Sequence, residues 1–140
     1  MTRSQTSVSH ARLQEVARNV AGQFGLRLVV LFGSAGRQEP NPRDLDLGVV
    51  GSGPLDTVAL TNALTRALGT QTVDLTDLRR ADPVLVALAA RDGRPLFEAE
   101  PGAFAKFVSL ATRRFADTRK FRDAQAQALR AEISRGSAAP

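Results

Sequence analysis

The 140-residue chain has no cysteine, no tryptophan and no tyrosine, and it has a single histidine and a single methionine. Without cysteine there is neither a disulfide framework nor a thiolate ligand for a soft metal. The one histidine, His10, stands in a polar N-terminal stretch. A metal held by several imidazoles is therefore excluded, and histidine-based acid–base chemistry is not expected. Any metal must be a hard cation bound through oxygen. All seven aromatic residues are phenylalanines, and they read as core, which leaves no stacking platform for the bases of a nucleic acid. No apolar run approaches the roughly 20 residues that span a bilayer. The segment "MTRSQTSVSHARLQ" also lacks the apolar middle of a secretory signal, so a cytoplasmic location and no membrane contact are expected.

Basic residues outnumber acidic ones, 19 to 14, for a formal charge of +5. Such a balance suits an acidic partner or nucleic acid, but it also describes an Arg-rich solvated surface. The length suits one domain with a real core. Leu13, Val16, Ala17, Val20 and Phe24 recur at three- and four-residue steps, which predicts a helix over 11–24 closed by Gly25. "LRLVVLF" is a continuous apolar run of strand length, as in a strand covered on both faces. "GSAGRQEPNPR" reads as loop and "DLDLGVV" as a second strand. A helix is expected over 55–68, a third strand in "QTVDLTDL", and a helix opened by Asp82-Pro83 and running to Gly93. "RPLFEAE" suggests a short edge strand. A long helical segment is expected from about Pro101 to Ser134, with Phe104, Phe107, Val108, Ala111 and Phe115 on one stripe. The order implies an α/β fold, a small mixed sheet flanked by helices. We divide the chain into a core over 1–100, a helical extension over 101–136 packed on it, and a disordered tail over 137–140.

The segment "VVLFGSAGRQEPNPRDLDLGVV" carries the chemistry. In a strand, residues i and i+2 share a face, so Asp44 and Asp46 project together while Leu45 and Leu47 turn away. Two carboxylates this close repel each other unless a cation joins them. Asp74 repeats the pattern inside "TVDLTDL". If that strand lay beside the second, at the usual spacing of about 4.8 Å, Asp74 would reach the same edge. Three carboxylates on neighbouring strands form a hard-cation site of the kind that holds Mg²⁺ together with substrate phosphates. Gly33-Ser34, leaving a buried strand, offers backbone N–H groups, a hydroxyl and room for a phosphate. Taken one by one, these features are equally a turn, an exposed strand edge and a helix cap.

The ordered set of Gly33, Ser34, Asp44, Asp46 and Asp74 resembles the minimal nucleotidyltransferase family of the polymerase-β superfamily, over essentially the whole chain. Its pattern is G-S, a spacer, D-x-D and a later acidic residue. Nine residues separate Ser34 from Asp44 where ten are usual, and Arg43 stands where serine is common. The resemblance implies a polymerase-β-like fold and a Mg²⁺-dependent transfer using ATP. Asp44 and Asp46 would bind two Mg²⁺ ions, and Asp74 would share one and help deprotonate the acceptor hydroxyl. Gly33 and Ser34 would hold the β- and γ-phosphates, with Arg37 and Arg43 as further phosphate or partner contacts. Stand-alone members of this size resemble the antitoxins of HEPN/MNT toxin–antitoxin modules, which implies transfer of AMP to a tyrosine of a HEPN toxin partner. Two alternatives stay open: a catalytically weak or inactive antitoxin that neutralises its partner by binding, and a small-molecule, aminoglycoside-type nucleotidyltransferase. A nucleic acid is not expected as the direct substrate.

Overall fold

A computed structural model describes residues 9–33, 44–69 and 72–138, without the side chains of Asp44, Lys120 and residues 136–138. Helix α1 (His10–Phe24) leads into strand β1 (Leu26–Phe32) and then β2 (Asp44–Gly51). Helix α2 (Thr57–Leu68), strand β3 (Thr72–Asp77), helix α3 (Pro83–Asp92) and strand β4 (Arg94–Glu98) follow, and helices α4 (Ala103–Asp117) and α5 (Arg119–Ala138) close the chain. The four strands form one mixed sheet in the order β3-β2-β1-β4. β1 runs antiparallel to β2 and β4, and β2 runs parallel to β3.

Local chemistry accounts for most of the boundaries. Ser9 caps α1 by accepting the Arg12 amide at 3.1 Å, and Gly25 ends the helix in the left-handed region. Asp56 caps α2 through the Ala59 amide at 3.0 Å, so that helix starts at Thr57, two residues later than the apolar pattern from Leu55 suggests. Asp82 accepts the Val84 amide at 2.7 Å, with Pro83 in the first turn, as anticipated.

The sheet is covered on both faces. On one face Leu45, Leu47 and Val49 of β2 pack with Val29 and Leu31 of β1 beneath α1 and α2. Leu47, Leu60, Leu64 and Val49 are among the most deeply buried side chains, each worth about 1.5–3 kcal/mol by transfer from water. On the other face Leu28, Val30 and Phe32 of β1 meet Val86 and Ala89 of α3 and Ala111 of α4.

The expected C-terminal helical segment consists of two consecutive helices. It breaks at Thr118, because the Phe115 carbonyl accepts from Thr118 Oγ1 at 2.9 Å and from Arg122 Nη2 at 3.0 Å. Those side chains take the place of the amide that would continue the ladder. Helix α4 packs on the sheet through Ala103, Phe104, Phe107 and Ala111. The described side chains of α5 are exposed apart from the half-buried Arg122 and Ala126, whereas the whole extension was expected to pack. α5 also runs to Ala138, past the expected start of a tail at 137. Among the described residues, no helix is long and apolar enough to cross a membrane.

Candidate active site

The alternation of β2 decides where the carboxylates go. Because Leu45, Leu47 and Val49 are buried toward α1 and α2, Asp46, Gly48 and Val50 lie on the opposite face. The parallel register pairs Asp44 with Thr72 and Asp46 directly with Asp74. β3 obeys the same alternation: Val73 is buried among the α1–α2 residues, while Asp74 is exposed on the other face. Asp46 and Asp74 are thus neighbours across two strands about 4.8 Å apart. This is the adjacency the repeated aspartate pattern required. On its other side Asp46 is paired with Phe32 of β1, whose buried ring walls the site toward the second core layer.

Gly33 completes the described part of the site. It follows β1 directly and holds a positive φ of 70°, a conformation that costs a side-chain-bearing residue about 1–2 kcal/mol. A β-carbon at this position would overlap Oδ2 of Asp46 and come within 3.0 Å of its Cγ. The glycine is therefore required twice, for its backbone angle and for the space its missing side chain leaves to the carboxylate. The Gly-Ser pattern signals a close approach but not that the neighbour is Asp46, because the contact crosses between strands. Further along the same face, Leu78 closes over Gly48, where a β-carbon would meet Leu78 Cδ1 at 2.7 Å.

Ser34, Arg37 and Arg43 lie outside the described residues, as does the side chain of Asp44. Among the described residues no group of three His, Cys, Asp or Glu side chains is gathered as a metal site. What is present is a pair of strand-borne carboxylate positions, one half-buried and one exposed, beside a glycine-lined space. The all-oxygen donor set of these two side chains suits a hard divalent ion.

A family model described as polymerase beta, nucleotidyltransferase, matches residues 14–101. A search of curated proteins finds no significant match. Among solved structures the chain resembles a toxin–antitoxin protein crystallised with AMP-PNP, at 24% identity and a TM-score of 0.73, covering 87% of this chain and 98% of that one. It is similar to a chain of an MntA-HpeT toxin–antitoxin variant, at 25% identity and a TM-score of 0.71, with 87% and 98% covered. It also resembles a chain from a complex of tri-AMPylated Shewanella oneidensis HEPN toxin with MNT antitoxin, at 24% identity and a TM-score of 0.70, with 86% and 98% covered.

Proposed function

From the premise that this chain belongs to the polymerase-β nucleotidyltransferase family, we propose that it transfers AMP from ATP to a tyrosine hydroxyl of a HEPN-type toxin and so acts as its antitoxin. The observation that carries the proposal is the pairing of Asp46 with Asp74 across β2 and β3, beside the space left by Gly33. The structural likeness to toxin–antitoxin proteins, one with AMP-PNP and one beside an AMPylated toxin, supports the choice of nucleotide and acceptor.

The donor set fits Mg²⁺, and Asp44, Asp46 and Asp74 are the residues that would hold two such ions. Bound there, Mg²⁺ would neutralise phosphate charge and lower the pKa of an attacking hydroxyl. Gly33 leaves the triphosphate room to approach the backbone, and its N–H together with Ser34 holds the β- and γ-phosphates. Arg37 and Arg43 add charge to the same grip. Asp74, exposed at the rim, accepts the proton of the acceptor hydroxyl. That oxygen bonds to the α-phosphorus as the bond to the bridging oxygen breaks, and pyrophosphate leaves. Such a reaction asks the protein mainly to position groups and offset charge.

The test is the intact mass of a cognate HEPN-type partner co-expressed with this protein, and separately with its Asp46→Asn variant. Nucleotidyl additions with the wild type alone, lost on chelation of Mg²⁺ in vitro, are expected. An unmodified partner held in a stable complex by both proteins would refute transfer and establish neutralisation by occlusion. The exposed apolar residues Phe121, Leu129 and Ile133 on α5 favour that second reading.

A further inference from the structure

A second concave feature lies on the same face of the sheet, at the end opposite Gly33. It is a cavity of about 470 Å³ between the far ends of β1 and β2, the turn after β3, and α4, within the size range of ligand pockets. Its floor is apolar and includes Leu28, Val50, Leu78 and Val86. Arg27, Arg79, Lys106 and Arg114 surround it, with Glu100 as the single carboxylate among the described residues. Glu100 is held by Arg27 at 3.6 Å and Lys106 at 3.9 Å, all three well exposed, so those contacts contribute little and exchange readily. The Arg79 guanidinium reaches the Gly51 carbonyl at 3.4 Å.

We propose that this cavity is an exosite that anchors the acceptor protein by an acidic segment with an apolar tip, a proposal that rests on the transferase reading above. Three observations converge. Among the described residues four cations line the cavity against one carboxylate, so it is short of negative charge, while its floor would bury an apolar side chain. Leu78 is shared: it lines the cavity and closes over Gly48, two residues from Asp46. Both sites therefore open on one face, Asp46 and Val50 lying about 13 Å apart along β2 at about 3.3 Å per residue. Four extended residues of a bound protein span that distance, so one segment can sit in the cavity while a neighbouring hydroxyl lies at the carboxylates. A nucleic acid fits less well, since Glu100 would face its phosphates and Phe107, the aromatic residue among the described lining, is engaged with Phe104 in the second core layer.

The experiment titrates the cognate HEPN-type partner calorimetrically into the Asp46→Asn protein, so that binding is read without turnover. On that background, Arg79→Glu with Arg114→Glu should weaken binding at least about tenfold and flatten its salt dependence. Arg114→Lys should bind within about twofold of the parent, and so should Arg18→Glu, whose charge reversal lies on α1 across the sheet. Arg114→Glu alone, at an exposed position, guards against a folding defect and should still weaken binding several-fold. Undiminished binding by the reversed variants, or an equal loss in Arg18→Glu, would overturn the exosite. So would loss of single-stranded RNA binding in the reversed variants with partner affinity intact. If the wild type modifies no partner yet binding depends on Arg79 and Arg114, the transferase reading fails and the exosite stands. If modification proceeds equally well when the same reversals are made in the protein that keeps Asp46, the exosite fails alone.

Discussion

Replacing Gly33 with alanine separates the two demands on that residue. At φ 70° a β-carbon costs about 1–2 kcal/mol. The new methyl also enters the volume of the Asp46 carboxylate, with Cγ 3.0 Å and Cβ 3.3 Å away. Relief requires the carboxylate to rotate from its preferred rotamer, at a cost of about 0.5–1.5 kcal/mol. The expected loss is about 1.5–3.5 kcal/mol, small enough for a domain of this size to stay folded, and the urea midpoint reads it. Gly25→Ala is the matched control. That glycine has φ 67° with nothing within 4 Å of an added β-carbon, so the same backbone strain applies without displacing a functional group. It should lose about 1–2 kcal/mol and keep its transfer rate. Gly33→Ala should lose at least about 100-fold in transfer, the scale expected when a positioned group moves by about 1 Å. Equal transfer rates for Gly33→Ala and wild type would refute the placing of Asp46 at the reacting centre. Equal activity losses in both alanine variants would trace the defect to stability alone.

Two further substitutions test the scaffold. Leu60, with 0% exposure beneath the sheet, should cost about 2–5 kcal/mol as Leu60→Ala, read by urea denaturation. Gly102 gives α4 no side-chain cap, and Glu98 on β4 accepts the Phe104 amide at 2.9 Å in its place. Glu98→Ala should therefore cost about 1 kcal/mol, and Glu98→Gln, which keeps an acceptor, should recover most of it in the same assay.

Periodicity made most elements legible. The stripe from Leu13 to Phe24 and the β-branched run of β1 each bury a continuous surface, and burial of that kind is written in the spacing of residues close in sequence. The break at Thr118 was hidden, because Phe115 and Arg122 lie seven residues apart on an otherwise helical pattern. Their side-chain-to-backbone bond competes with the ladder only once both are placed. The exposure of α5 was hidden for a related reason: a stripe shows which face is apolar but not whether anything covers it.

For the site, sequence alone determined the chemistry on offer: three aspartates, a Gly-Ser after a buried strand, no cysteine and one histidine. Those facts restrict the chain to oxygen ligands and set two aspartates on one side of a strand, because side chains alternate every residue. Only the tertiary structure decided that β3 lies parallel to β2 with Asp74 level with Asp46, since strand order and register depend on how α2 crosses and which apolar faces meet. It alone turned Gly33 onto Asp46 and gathered Arg27, Arg79, Lys106 and Arg114 around one cavity. Contacts between residues distant in sequence leave no local pattern, so they exist only in the folded chain.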